Sequence, residues 1–147
     1  MARLGTFGAV CAGLAVLSGC QKPTPLVTVT SGRDSVHAET DCYDDGRQLP
    51  TSALERCLRG RHKTLGVDPD AIVRFGVDPV VADRGWAILL NGRPLSDVSH
   101  KTYRTIPASV FFDRQYGATG PASTASVLEG SGRKFTGLWS FTFTRKS

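Results

Sequence analysis

Histidine is scarce in this chain: His37, His62 and His100 are the only three in 147 residues, and they stand far apart. No His-Glu-x-x-His pair of a zinc hydrolase can be built from them, and no Gly-x-Ser-x-Gly elbow carries a serine nucleophile. A phosphate loop is missing as well, because the stretch from Ser131 to Lys134, SGRK, lacks the spaced glycines and the helix that should follow. Long apolar runs are also few. The run from Leu4 to Leu17 would rise about 21 Å as a helix at about 1.5 Å per residue, short of the roughly 30 Å hydrocarbon core, which excludes a mature membrane span there. No catalytic residue, metal set or cofactor motif is expected from the remaining sequence.

What is present begins at the amino terminus. One basic residue, Arg3, precedes that apolar run, and no acidic residue occurs before position 20, the pattern of a secretory signal. The run ends in Leu17, Ser18, Gly19 and Cys20, which resembles the lipobox of bacterial lipoproteins at all four positions. The resemblance implies a signal peptide over residues 1–19 and a lipidated Cys20 as the first mature residue. It also implies export and anchoring to the outer face of the cytoplasmic membrane, with no nucleic-acid partner. A thiol is the most nucleophilic side chain available to take up a diacylglyceryl group, and small residues before it let an extended backbone enter a signal peptidase. Residues 20–25, CQKPTP, form a short tether that Pro23 and Pro25 hold extended. Residues 26–147 then make a single domain, and residues 20–147 carry 17 basic against 13 acidic side chains, a net +4.

Export accounts for the four cysteines. Cys11 leaves with the signal and Cys20 is acylated, so Cys42 and Cys57 remain and are expected to form a disulfide in an oxidising compartment. The competing readings, a metal pair or a catalytic thiol, would want further Cys or His ligands nearby, and His62 alone is available.

Alternating residues place the strands. Val27 and Val29 share a face in LVTVT, and the SGRD turn leads into SVHAETDCY, where Val36, Ala38, Thr40 and Cys42 oppose His37, Glu39 and Asp41. These two runs predict a hairpin. LPTSALERCLRG predicts the one helix, with Ser52 and Glu55 spaced as a capping box, Leu54, Cys57 and Leu58 on one face, and Gly60 as terminator. From Asp70 onward the pattern reads as β throughout. Val73, Phe75 and Val77 alternate, Trp86, Ile88 and Leu90 alternate before an Asn91-Gly92 hairpin turn, and Tyr103, ASVFF and ASVLE suggest further strands. The last strand, KFTGLWSFTFTRK, aligns Phe135, Gly137, Trp139, Phe141 and Phe143, a core face rather than a base-stacking platform.

Strands at this spacing around a buried tryptophan predict a mainly β, two-sheet sandwich resembling immunoglobulin-like domains, with one short helix; a small open β-barrel is the alternative. The lipobox, the CQKPTPLVTVTSG start, the Cys42 strand and the GWAILLNG hairpin together resemble small uncharacterised lipoproteins of actinobacteria. That resemblance implies location and architecture and adds no chemistry. Two side-chain clusters remain as candidate sites. His37, Glu39 and Asp41 project together as a solvated strand face or a ligand set, and Arg56, Arg59, Arg61 and Lys63 crowd the helix end, where they suit the dipole or an anionic lipid or wall polymer. The expected function is therefore a lipid-anchored binding or interaction module, not an enzyme, with an envelope enzyme accessory or weak hydrolase as the alternative.

Overall fold

Val27, Val29 and Ser31 point inward along the first strand while Thr28 and Thr30 are partly exposed, so β1 (Val27–Ser31) buries one face only. The computed structural model describes residues 22–130 and 134–147; the expected signal peptide, the lipobox-like Leu17–Cys20, and all of the SGRK stretch except Lys134 lie outside them. Gly32, at φ +60°, turns the chain into β2 (Asp34–Ala38), which pairs antiparallel with β1, giving the predicted hairpin. On the other side of β1 lies β5 (Ile72–Val77), followed by β8 (Tyr103–Pro107), so one sheet runs β2-β1-β5-β8.

The second sheet is built on β10 (Gly137–Arg145). One edge of β10 pairs with β9 (Ala122–Glu129), then β6 (Trp86–Leu90) and β7 (Arg93–Pro94). Along the other edge lie first β3 (Cys42–Tyr43), antiparallel, and then β4 (Lys63–Val67), parallel. The fold is thus the two-sheet sandwich read from the sequence. The Asn91-Gly92 turn sits where expected, with φ of 49° and 80° and Leu90 opposite Arg93.

Between the sheets lies the main core. Val27, Val29, Val73, Phe75 and Val77 from the first sheet meet Trp86, Ile88, Leu90, Val127, Trp139, Phe141 and Phe143 from the second, and Phe111 packs edge-on against Phe143 at 4.9 Å between ring centres. A second, smaller core forms on the far face of the second sheet, where α1 (Thr51–Leu58) covers Leu89, Phe135 and Leu138 with Ala53 and Cys57. Every residue of β6 is buried for that reason. A strand covered on both faces loses the alternation that one covered on a single face shows.

Five expectations are corrected. Phe135 does not share the face of Trp139, Phe141 and Phe143: it precedes β10 and packs in the second core with Leu138. SVHAETDCY is not one strand: β2 belongs to the first sheet and β3 to the second, and residues 39–41 carry the chain across. Val36, Ala38, Thr40 and Cys42 therefore share no face. A second helix, α2 (Pro79–Arg84), stands where β structure was expected; Pro79 occupies its first turn, where a missing N–H costs nothing. ASVFF forms a 3-10 turn, Ala108–Phe112. The capping box is not formed either: the N-cap is Pro50, no side chain caps the helix, and the Glu55 carboxylate pairs with Arg59 at 3.4 Å.

Candidate functional site

The crossing between sheets creates a cleft. Two hydrogen bonds to the Leu138 carbonyl hold it, from the Asp41 N–H at 2.8 Å and the Thr40 hydroxyl at 3.0 Å. On the opposite side the chain leaving α1 passes through Arg61, His62 and Lys63 into β4. Between them lies a cavity of about 440 Å³ that brings His37, Glu39 and Asp41 against Arg61, His62 and Lys63, with Leu26 and Ser140 also lining it. The sequence presented these as two separate clusters, and tertiary structure makes them one.

The floor of the cleft is an Asp41–His62 pair. His62 Nε2 lies 2.8 Å from the Leu58 carbonyl oxygen, which can only accept, so this nitrogen carries a hydrogen. His62 Nδ1 then faces Asp41 Oδ1 at 3.4 Å, with the two side chains only 5% and 18% exposed. At that distance His62 Nδ1 makes no hydrogen bond, and it and Asp41 Oδ2 are both buried without a hydrogen-bond partner. Burial pushes the Asp41 carboxyl above its usual range, while the charge on His62 and the N–H and hydroxyl of Ser140 pull it back.

Around the rim the groups are charged. Lys63 Nζ donates to the His37 carbonyl at 2.7 Å, and Arg61 is exposed. Of the basic cluster read from the sequence, Arg61 and Lys63 reach the cleft. Arg59 is engaged with Glu55, and Arg56 lies on the exposed face of α1. Cys42 and Cys57 form the expected disulfide, Cα–Cα 6.0 Å, which ties α1 to β3 just beyond Asp41. Among the described residues no group of three or more His, Cys, Asp or Glu side chains is arranged to hold a metal ion, and no helix is long and apolar enough to cross a membrane.

The larger cavity nearby, about 820 Å³, is walled by the tether itself, from Lys22 to Pro25, together with Tyr43 and Asp78. The end of the tether is clamped to the domain: Trp139 Nε1, from the core, donates to the Pro25 carbonyl at 2.9 Å, and the Leu26 N–H donates to Asp78 of the cavity wall at 2.9 Å.

One further titratable group escaped the sequence reading. Glu129 is fully buried at the end of β9, its Oε1 accepting from the Thr136 hydroxyl at 2.9 Å and from Arg84 at 3.4 Å. Arg84 is itself shared with the Tyr43 hydroxyl at 2.9 Å and Asp45 at 3.2 Å. The signal was available, because Glu129 falls in step with Ala125 and Val127 on the inward face. Burial raises its carboxyl above the ordinary range despite Thr136 and Arg84. A raised folded-state value stabilises the fold below the unfolded-state value, and that contribution is lost as pH climbs through the folded-state value. Glu129→Gln keeps the acceptor oxygen and removes the charge, so the variant is expected to exceed the wild type by about 1–2 kcal/mol at neutral pH. The gap should close on acidification; urea melts of both proteins across that range check it, and a gap that widens at low pH overturns it.

No family model matches the chain, and no curated protein or solved structure matches it.

Proposed function

We propose that this chain is a lipid-anchored cell-envelope protein whose sandwich is a binding module, taking a polar ligand with an anionic group in the cleft between β2 and the α1–β4 connection. The lipobox-like Leu17–Cys20 supports the anchor. The observation that carries the binding reading is the meeting of Arg61 and Lys63 with exposed His37 and Glu39 and half-buried Thr40 and Asp41 in one cleft. A serine nucleophile is activated by an adjacent general base. The buried Ser140 hydroxyl is instead 2.8 Å from the Ser126 hydroxyl, which favours binding over a serine-hydrolase reading of this cleft.

The tether supports a ligand close to the membrane. Because Pro25 and Leu26 are bonded to the domain, the chain from Cys20 to Pro25 spans at most about 17 Å, which keeps this end of the sandwich near the bilayer.

The test is charge reversal of the cleft pair. The double variant Arg61→Glu, Lys63→Glu is expected to bind acidic polymer or anionic vesicles at least tenfold more weakly, with melting behaviour within about 1 kcal/mol of wild type. Reversal of Arg56 and Arg59 should change binding far less. Wild-type binding should also fall as salt shortens the screening length from about 10 Å at 0.1 M to about 3 Å at 1 M. Equal binding by the cleft variant, or salt-insensitive binding, removes the cleft from the function.

A further inference from the structure

Across the outward face of the first sheet, strand pairing sets His37, Thr28, Gly76 and Tyr103 in one row over four strands. Tyr103 is 57% exposed, and Arg74 from the neighbouring row lies over its ring, 5.9 Å from the centre, occupying one of its two faces. Neither that row nor the one from Ser35 to Thr105 carries a carboxylate.

Gly76 is the unexplained member. Its φ is not in the left-handed region, and a Cβ built there would meet nothing closer than the Thr28 carbonyl oxygen at 3.9 Å. Neither backbone conformation nor space inside the fold asks for glycine, which weakens the interior of a strand and marks places where something approaches the backbone closely. Its absent side chain leaves a trough between Thr28 and the exposed Tyr103 ring.

The row is continuous with the cleft. His37 belongs to both, and its carbonyl accepts from Lys63. We propose that the Tyr103–Gly76–Thr28–His37 row and the cleft of Arg61 and Lys63 form one binding surface for an acidic glycan strand, an inference that rests on the anionic-ligand reading of the cleft. Sugar rings present an apolar C–H face that stacks on an aromatic ring and hydroxyls that bond to Thr28 and His37, while their carboxylates or phosphates meet Arg61, Lys63 and Arg74. A peptide strand would instead take its main-chain bonds from a sheet edge, which this face does not offer.

The experiment uses the protein purified in neutral detergent and titrates it with alginate, a polyuronate, with wall teichoic acid, a glycan phosphodiester, with uncharged dextran and with anionic and neutral phospholipid vesicles. At least one of the two acidic glycans is expected to bind better than dextran. Gly76→Val and Tyr103→Ala should each weaken that binding at least tenfold, while Gly76→Val melts at or above the wild-type temperature because valine suits an exposed strand. Opposite signs for binding and stability separate a ligand contact from a folding defect. If the Arg61, Lys63 reversal abolishes glycan binding while Gly76→Val and Tyr103→Ala leave it intact, the extended surface is wrong and the cleft reading stands. If none of these variants changes binding, or neither the acidic glycans nor the anionic vesicles bind, both fail; if only the glycans fail to bind, the glycan surface is wrong and the cleft reading stands. Binding to anionic vesicles that exceeds binding to neutral ones, is lost in the Arg61, Lys63 reversal and is tighter than for either glycan overturns the glycan assignment.

Discussion

Cys20→Ala is expected to reduce incorporation of labelled fatty acid to background and to leave the preprotein unprocessed. Acylation needs the Cys20 sulfur, since no other side chain at the end of the apolar run can form the thioether. Each buried methylene contributes about 0.8 kcal/mol, so two or more acyl chains hold a small protein on a membrane without help from its fold. With Cys20 lipidated, the clamp on Pro25 and Leu26 would also position the domain, because the short tether would keep the cleft close to the bilayer. Membrane fractionation measures the consequence: the wild type should sediment with membranes and return to solution only in detergent. Continued labelling of the Cys20→Ala protein sinks the lipoprotein reading.

Removal of the disulfide is the second large effect. Cys42→Ala with Cys57→Ala is expected to cost about 2–4 kcal/mol, since the bridge closes a loop of about 16 residues in the unfolded chain. Little else holds α1: it has eight residues, two of them buried, and no side-chain cap. An isolated helix of that length is unstable in water, so its docking on Leu89, Phe135 and Leu138 depends on the bridge. The loss should also reach the cleft. Asp41 immediately precedes Cys42, and His62 is bonded to the Leu58 carbonyl at the end of α1, so the variant should bind acidic polymer less tightly as well as melt earlier. Mass spectrometry of protein from the exported fraction should find no free thiol at either position, and two free thiols overturn the bridge as a native feature.

Much of the sandwich was legible because its cues are local. Val27 and Val29, Val73 to Val77, and Trp139 to Phe143 alternate with the period of a strand buried on one face, and Asn91-Gly92 adopts the positive φ angles that a tight hairpin turn needs. The cysteine pair and the single periodic helix followed from counting and spacing. Glu129 was equally visible in step with Ala125 and Val127, but an acidic residue at a strand end reads as solvated until its neighbours are known.

The sequence by itself determined where β1, β5, β6, β9 and β10 run, which cysteines pair, where the first helix lies and, through Leu17 to Cys20, where the chain is expected to be anchored; each depends on residues a few positions apart or on chemistry confined to one side chain. Tertiary structure alone decided that the run from Ser35 to Tyr43 divides between two sheets, because which sheet a strand joins depends on partners far away: β2 finds β1, whereas β3 finds β10 some ninety residues later. The same long-range pairing carries residues 37–41 to Arg61 and Lys63 and sets Tyr103 beside Gly76. A period of two says which side chains share a face, and only the packed sheets say what that face meets.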